Sequence, residues 1–254
     1  MKLTLIGNGF MAQALAKGLI KKFEVEIIGR DINKLKKVKE LIPAIEIKEL
    51  EDAEDINGKN VIFCVKPYAL QSVAARLEGE ANILFSILAG TSLESLRKQI
   101  KSKYYVRVMP NVAASVSKSA TTLTGDKEVK KLAHEIFEYI GKAVWVDTEK
   151  ELDIATAVAG SGPAFLCLIA EALSDGAVKA GLNRKISNEL VQGLFEGYAK
   201  LLENNHPAII KDSVMSPGGT TAAGVAKIEE GAVRSHMIKA IEAAHNKAVE
   251  IGKK

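Results

Sequence analysis

The residues best suited to bind a ligand form a glycine-rich pattern near the N-terminus, Gly7-Asn8-Gly9-Phe10-Met11-Ala12. This G-x-G-x-x-A pattern follows an apolar run, Lys2 to Ile6, and opens a stretch with helical spacing, which is the context that a dinucleotide-binding turn requires. Gly7 permits the tight turn, Gly9 lets the backbone approach a pyrophosphate, and Ala12 keeps the helix close to the sheet. Amides at the helix start point at the anion. The pattern predicts a dinucleotide cofactor site rather than an ordinary strand–turn–helix corner.

The residues after the second predicted strand bear on which dinucleotide binds. An NAD site normally carries an acidic residue there for the ribose 2′-hydroxyl, whereas this chain has Arg30 followed by Asp31. The planar guanidinium of Arg30 suits a 2′-phosphate. Lys34 and Lys37 are interpreted as surface residues of a solvated helix. The sequence favours NADPH, and Asp31 keeps NADH possible.

A second segment, Ser216-Pro217-Gly218-Gly219-Thr220-Thr221, precedes another helical pattern. Glycines and hydroxyl residues at a helix start can form a cradle for an anion, because free amides and hydroxyl donors converge there. The same residues are also typical of an ordinary helix cap after a turn. Taken alone, the segment leaves both interpretations open.

The pattern of elements predicts an α/β fold with two domains. Residues 1–150 alternate between apolar, β-branched runs and helical patterns, which predicts a Rossmann-type, mainly parallel sheet with helices on both faces. The predicted strands are Lys2–Ile6, Val25–Ile28, Val61–Val65, Ile83–Leu88, Tyr105–Val108 and Ala143–Val146. Thr148 to Asp153 is interpreted as a charged linker.

Residues 151–254 contain no convincing strand and are predicted to be all-helical. The first predicted helix is Pro163 to Ala180. The next has a predicted buried face made of Leu190, Leu194, Tyr198, Leu201 and Leu202. A third is predicted from about Thr221 to the C-terminus. An Ala-rich module of this size has a thin core when left alone. We therefore expect its helices to pack against a second subunit.

Composition narrows the function classes. The formal net charge of +4 is too mild for a nucleic-acid-binding protein, although it suits anionic ligands. Cys64 and Cys167, the only cysteines, have no metal or redox spacing and are expected to be reduced, buried thiols. No apolar run reaches the ~18 to 20 residues of a membrane span, so we expect no membrane association. We also expect a cytoplasmic protein without a bound metal. The four histidines lie outside every motif.

The chain as a whole resembles the pyrroline-5-carboxylate reductase family. The motifs that carry the resemblance, besides Gly7–Ala12 and Ser216–Thr221, are Val65-Lys66-Pro67, Ala89-Gly90-Thr91, Arg107-Val108-Met109-Pro110-Asn111 and Gly160-Ser161-Gly162-Pro163-Ala164. The resemblance implies reduction of 1-pyrroline-5-carboxylate to L-proline with NADPH or NADH, the final step of proline biosynthesis. It also implies a Rossmann domain followed by a helical dimerisation domain, assembled as a homodimer or a ring of dimers.

The resemblance further implies roles for individual residues. Ser216, Gly219, Thr220 and Thr221 would hold the substrate, with the Thr221 hydroxyl near the ring nitrogen as the catalytic group. Val65, Lys66 and Pro67, with Ala89 and Asn111, would line the ribose and nicotinamide end of the cofactor. Met215 stands where the family commonly has small or polar residues, which puts the shape of the pocket there in doubt.

Two rival functions were weighed. A hydroxyacid dehydrogenase of the 6-phosphogluconate type carries a catalytic lysine in a G-x-G-x-x-x-K arrangement, and counting from Gly160 and Gly162 places Leu166 at that position. Leucine cannot act as the base that alcohol oxidation needs. The other rival is an NADPH-binding regulatory protein without turnover, against which the two intact binding motifs argue. Hydride transfer to an imine needs no nucleophile or metal, only orientation of the reactants and a proton.

Overall fold

The computed structural model describes residues 1–252. The chain forms two compact units, of which the first contains Met1–Ser161 and the chain from Ala244 onward, and the second contains Gly162–Ala243. This division differs from the predicted boundary at residue 150, because the segment after it still packs on the sheet.

The first unit is built on an eight-stranded sheet. The strands of the chain are β1 (Lys2–Ile6), β2 (Glu24–Gly29), β3 (Glu46–Glu49), β4 (Glu54–Asp55), β5 (Asn60–Phe63), β6 (Leu77–Glu78), β7 (Ala81–Ser86), β8 (Ser102–Met109), β9 (Ser119–Gly125) and β10 (Gly141–Trp145). The sheet order is β3-β2-β1-β5-β7-β8-β9-β10, with β4 and β6 forming a separate pair. The order reverses between β1 and β5, and this topological switch point is where doubly wound sheets bind their ligands.

Helices follow most of the strands. They are α1 (Phe10–Leu19), α2 (Ile32–Leu41), α3 (Leu70–Ala74), α4 (Leu93–Gln99), α5 (Lys130–Phe137), α6 (Glu149–Ala155), α7 (Gly162–Lys179), α8 (Arg184–Leu201), α9 (Pro207–Ser213), α10 (Thr220–Glu230) and α11 (Val233–Gly252). A π-helical segment, Thr156–Gly160, joins α6 to α7. Among the described residues no strand follows β10, which confirms the predicted all-helical C-terminal region.

The core of the first unit lies on both faces of the sheet, because successive residues of a strand point to opposite faces. Ile62 belongs to the cluster that includes α1 and α5, whereas the next residue, Phe63, belongs to the cluster that includes α3 and α4. The rings of Phe85 and Phe137 meet edge to face at 5.4 Å between centroids. This double covering confirms the predicted mainly parallel sheet with helices on both faces.

The sequence missed several strands and the direction of the last two. β3, β4, β6 and β9 were not predicted, and β9 pairs antiparallel with β8, while β10 runs parallel to β9. Strand β9 is rich in threonine. The β-branched shape of threonine favours a strand, but its hydroxyl makes the residue polar, so a buried strand of threonines does not show as an apolar run. Thr121, Thr122 and Thr124 are all buried.

The interpretation of Thr148 to Asp153 as a linker was wrong. Thr148 caps α6 in a reciprocal arrangement with Glu151, the capping box of a helix start. The buried Arg107 of β8, 2% exposed, then forms ion pairs with Glu149 at 2.9 Å and Asp153 at 3.0 Å. These long-range ion pairs hold α6 on the sheet, so the charged run from Thr148 to Asp153 belongs to the first unit.

The second unit has almost no internal core. Its only buried side chains on α7 and α8 are Ser174 and Ser187, and α9 and α10 bury none. The stripe predicted as the buried face of α8 is exposed within the chain, with Leu190 at 61% and Leu194 at 58%. The helical periodicity was therefore predicted correctly, but no part of the described chain covers that face.

Two further predictions for this region need correction. The third predicted helix is two helices, α10 and α11, separated by Gly231 and by Ala232 in the left-handed conformation at φ 53°. In addition, one helix, Glu149–Lys179, is long and apolar enough to cross a membrane, judged by length and composition. No uninterrupted apolar run reaches this length, because small residues such as Gly160, Ser161 and Gly162 interrupt the helix without adding charge.

Candidate active site

The predicted cofactor residues converge on a cleft of about 180 Å³ at the carboxyl ends of β1, β2 and β5. Its lining includes Gly7, Asn8, Gly9, Arg30, Val65 and Lys66. Phe10, Met11 and Ala12 continue from this turn into the first turn of α1. The cleft lies at the topological switch point of the sheet, so the fold brings the predicted residues to the expected place.

Gly7 is required by the turn itself. Its φ is 117°, and its amide donates to the carbonyl of Ile28 at 2.7 Å. A Cβ at this position would lie 2.8 Å from the backbone carbon and oxygen of Cys64. Both the conformation and the close approach of the backbone just after β5 therefore exclude any side chain here.

Gly9 differs from Gly7, because nothing in the chain demands a glycine there. It is the N-cap of α1 in an extended conformation, and a Cβ on it would meet no atom of the described chain within 4 Å besides those of its chain neighbours and of the start of α1. No side chain caps α1, so the first-turn amides are left for a ligand. The open space beside these amides fits a pyrophosphate, and the residues present therefore suit a dinucleotide.

Asn8 lies over the end of β2. A Cβ at Gly29 would lie 2.9 Å from Cγ of Asn8, so Gly29 makes room for this side chain. The Asn8 carbonyl accepts a hydrogen bond from Nε2 of Gln13 at 3.1 Å, which ties the turn to α1. Its Nδ2 is buried without a partner among the described residues. Asn8 thus shapes the turn as well as lining the cleft.

The end of β2 separates the roles of Arg30 and Asp31. Arg30 is exposed at the cleft and forms no ion pair or hydrogen bond with any described residue. Asp31 is the N-cap of α2, and its Oδ1 accepts from the amides of Asn33 at 3.0 Å and Lys34 at 3.1 Å. Because Asp31 is used to cap a helix, the guanidinium of Arg30 is the group left for a ligand.

The segment after β5 presents two side chains that the sequence predicted, Lys66 and Pro67, and one that it did not, Tyr68. Lys66 and Pro67 are exposed, and Pro67 opens a 3-10 turn. Tyr68, 85% exposed, also lines the cleft. Tyr68 directly follows the Val65–Pro67 motif, and this position is the signal that the sequence offered for it.

Ala89 and Asn111 do not line this cleft. Ala89 is exposed after β7, at the same edge of the sheet, since Ile87 donates to the Phe63 carbonyl of β5. The side chain of Asn111 is already used within the protein: its Oδ1 accepts from the amide of Ala113 at 3.0 Å, and its Nδ2 donates to the carbonyl of Ala159 at 2.9 Å. These bonds give Asn111 a structural task, the fixing of the π-helical segment against the end of β8.

Cys64, also in the cleft lining, is not a nucleophile. Burial raises the pKa of its thiol far above the usual range, so the thiol stays protonated. Cys167 is exposed within the chain, which corrects the prediction that both thiols are buried, and neither cysteine is in a disulfide. Among the described residues no group of three His, Cys, Asp or Glu side chains could hold a metal ion.

The predicted substrate segment lies in the second unit and forms a tight turn before α10. The amide of Gly219 donates to the carbonyl of Ser216 at 3.0 Å, with Pro217 and Gly218 between them and Gly218 at φ 73°. This is a type II turn, which favours proline and then glycine at its two central positions. A Cβ at Gly219 would lie 2.5 Å from Oγ of Ser216, so Gly219 lets the Ser216 hydroxyl approach the helix start.

The start of α10 has the properties of an anion site. Gly219 is the N-cap and offers no side-chain cap, so the first amides of α10 have no partner within the helix. The hydroxyls of Ser216, Thr220 and Thr221 form no hydrogen bond with any described residue. The ordinary N-cap interpretation predicted a side-chain bond to these amides, and its absence here favours the anion cradle.

Comparisons with known proteins agree along the whole chain. Residues 149–251 match the family model described as pyrroline-5-carboxylate reductase dimerisation, and residues 2–90 match NADP oxidoreductase, coenzyme F420-dependent. A pyrroline-5-carboxylate reductase of Synechocystis is 38% identical over 100% of this chain and 99% of its own length. One from Helicobacter pylori is 37% identical, over 94% of this chain and 95% of its own.

Solved structures give the same result. The crystal structure of 1-pyrroline-5-carboxylate reductase from Streptococcus pyogenes superposes with a TM-score of 0.85 at 29% identity, covering 98% of each chain. The Plasmodium falciparum enzyme, solved with NADP bound, gives a TM-score of 0.82 at 27% identity over 99% of this chain and 98% of its own.

Proposed function

Because this chain belongs to the pyrroline-5-carboxylate reductase family, we propose that it reduces 1-pyrroline-5-carboxylate to L-proline with NADPH as the preferred cofactor. The observation that carries the proposal is the Ser216–Thr221 turn at the uncapped start of α10, which offers an anionic substrate free amides and free hydroxyls. The reaction adds one hydride to the imine carbon and one proton to the nitrogen. When bound, the reduced nicotinamide supplies the hydride.

The first unit holds the cofactor in this proposal. The open face of Gly9 and the first amides of α1 receive the pyrophosphate, and Arg30 pairs with the 2′-phosphate. Val65, Lys66 and Pro67 contact the ribose and nicotinamide end, with Ala89 beside them. NADH remains a slower alternative, since Asp31 is committed to capping α2.

The second unit holds the substrate. Ser216 and the amides of Gly219 and Thr220 bind the carboxylate, which fixes the ring for attack on its imine carbon. The Thr221 hydroxyl donates a hydrogen bond at the ring nitrogen or relays a proton from water. A hydroxyl is too weak an acid to protonate the nitrogen alone, so water or the protonated imine supplies the proton.

The assembly follows from the helical unit. A second copy of the chain covers the exposed leucines of α8 and the apolar surface of Glu149–Lys179, which explains a helix of membrane-spanning composition without a membrane. We infer a homodimer, or a ring of such dimers, located in the cytoplasm. The two unpaired cysteines are consistent with that compartment.

Imine reduction explains the site better than alcohol oxidation does. Leu166, at the position of the lysine in hydroxyacid dehydrogenases, cannot accept a proton, and the cleft thiol of Cys64 stays protonated. The experiment that tests the function is the consumption of NADPH, followed by its absorbance, with 1-pyrroline-5-carboxylate, in parallel with NADP reduction by a 3-hydroxyacid and with a blank. We expect turnover only with the imine. Oxidation of the hydroxyacid, or binding of NADPH without any turnover, would contradict the proposal.

A further inference from the structure

The loop after β7 is in contact with the C-terminal end of the chain. Gly90, in the middle of the Ala89–Thr91 segment, has a φ of 70°, and a Cβ on it would lie 2.7 Å from Cγ2 of Ile251 and 3.1 Å from the amide nitrogen of Gly252. A Cβ on Gly252 would in turn lie 3.4 Å from the carbonyl oxygen of Gly90. The two backbones therefore cross at a pair of glycines. The end of α11 belongs to the same compact unit as the sheet, although most of that helix lies in the other unit.

This contact lies at the functional edge of the sheet. Strands β5 and β7 pair in parallel, with Phe63 opposite Ser86, so the residues after β7 emerge beside the Val65–Lys66 segment that lines the cofactor cleft. Under the proposed function, that segment and Ala89 serve the nicotinamide end. The end of α11 is thus in contact with a loop that, under the proposed function, borders the reacting end of the cofactor.

The rest of the loop is anchored on its other side. The amide of Leu93, at the start of α4, donates to Oε1 of Glu149 at 2.9 Å, and the same oxygen accepts from the buried Arg107. Ser92 caps α4 through the amide of Ser95 at 3.1 Å. Leu93 is therefore held by α6 and Ser92 by α4, whereas Gly90 is in contact with Ile251 and Gly252.

We propose that the last turn of α11, through Ile251 and Gly252, is a positioning element that holds the Ala89–Thr91 loop against the nicotinamide end of the cofactor. The inference rests on the proposed function for the identity of that end, and adds residues that no binding motif contains. Ile251 is 44% exposed, so its side chain is not explained by burial in the core. The side chain of Ile251 is in contact with the loop. Without that contact, the loop becomes ordered only when the cofactor binds, and this ordering reduces the affinity for the cofactor.

The test compares a ligand for the whole cofactor site with one for the adenosine half alone. The variants are Ile251→Ala and a chain that ends at Glu250, and the control is Lys247→Ala, an exposed residue of the same helix with no contact to Gly90. We expect the Kd for NADPH to rise by about tenfold in the shortened chain and by about threefold in Ile251→Ala. The Kd for 2′,5′-ADP, which lacks the nicotinamide, should stay within about twofold of the unmodified protein.

Amide hydrogen exchange of the cofactor-free protein supplies a second readout that does not depend on activity. Residues 89–92 should exchange faster in both variants, while β1 and β5 keep their protection. Equal weakening of NADPH and 2′,5′-ADP, or no change in either Kd, would overturn the inference. If the shortened chain does not fold, Ile251→Ala decides. A protein that shows these binding differences but does not reduce the imine would refute the proposed function and leave the positioning role in place.

Discussion

The two units of this chain solve the problem of burying apolar residues in opposite ways. The first unit covers both faces of an eight-stranded sheet with its own helices and buries large side chains completely, among them Phe63, Phe85 and Phe137. The second unit buries two serines and leaves Leu190 and Leu194 exposed. An all-helical module without an internal apolar core is not stable alone, because burial of apolar surface is the main favourable term in folding. The first unit therefore has its whole apolar core within one chain, whereas the helices of the second unit require another chain to cover their apolar side chains.

The same contrast applies to the two binding sites that the proposed function requires. The cofactor cleft, from Gly7 to Lys66, is assembled within one unit of one chain. Under the proposed function the substrate binds to the Ser216–Thr221 turn, which is part of the unit without an internal apolar core. Cofactor binding and imine reduction should therefore respond differently to loss of the partner.

The largest effect should come from charges placed on the exposed face of α8. If a second subunit covers this face, the double variant Leu190→Lys/Leu194→Lys buries unpaired charges at a cost of about 3 to 5 kcal/mol. That cost is enough to dissociate the assembly and to reduce turnover roughly a hundredfold or more. The Kd for NADPH should change less than about twofold, because the cleft lies in the other unit. Light scattering, turnover and an NADPH titration measure these three quantities.

The control for this variant is Glu189→Lys, which places a lysine on the same helix outside the apolar stripe. It should keep the mass and the turnover of the unmodified protein. If the double variant also stays associated and active, the exposed stripe is not an interface.

The next effect separates two glycines of one turn. Gly7→Ala should lower the free energy of unfolding by about 2 to 5 kcal/mol, since it adds left-handed strain and a clash with the backbone of Cys64. Gly9→Ala should leave stability within about 0.5 kcal/mol, because its Cβ enters open space. The Kd for NADPH should nevertheless rise by about tenfold or more in Gly9→Ala, since the pyrophosphate needs that space. Thermal unfolding and an NADPH titration measure the two effects, and equal destabilisation by both substitutions would refute the distinction.

More of the first unit than of the second could be predicted from the sequence, and these two glycines show why. A turn between a strand and a helix is a local feature, so its residue types and spacing were sufficient to locate β1, α1 and the cofactor cleft. By contrast, α6 depends on ion pairs between Arg107 and residues more than forty positions away, Glu149 and Asp153, and its charged sequence alone resembled a linker. Long-range partners cannot be identified from local patterns.

The same limit explains the errors in the second unit. Helical periodicity located α7 and α8, but it could not tell whether a partner face belongs to the same chain or to another. The break between α10 and α11 depends on Ala232 in a left-handed conformation, for which alanine gives no signal.

A smaller effect concerns the substrate turn. Thr221→Ala should lower kcat/KM for the imine by about 1 to 3 kcal/mol of transition-state free energy, the scale of a lost positioning hydrogen bond. The Kd for NADPH should hardly change, and Thr221→Ser, which keeps the hydroxyl, should recover most of the rate. Steady-state kinetics with both substrates measure this, and an unchanged kcat/KM in Thr221→Ala would remove this hydroxyl from the mechanism.

The smallest effect concerns cofactor choice. Arg30→Ala should raise the KM for NADPH about tenfold and leave the KM for NADH nearly unchanged, because only NADPH carries the 2′-phosphate. The difference should shrink as salt is added, since Arg30 is exposed and its charge is screened. Lys34→Ala, which removes a neighbouring surface charge, serves as the control and should alter neither value by more than about twofold. An equal change of both KM values in Arg30→Ala would contradict the 2′-phosphate role.

The contrast between the two units is tested most directly by diluting the unmodified protein while mass, NADPH binding and imine reduction are measured on the same samples. As light scattering shows the assembly dissociating, turnover should fall in proportion to the associated fraction, while the Kd for NADPH stays constant. A monomer that reduces the imine at the full rate would contradict the account, because its helical unit and substrate turn would then be complete in a single chain.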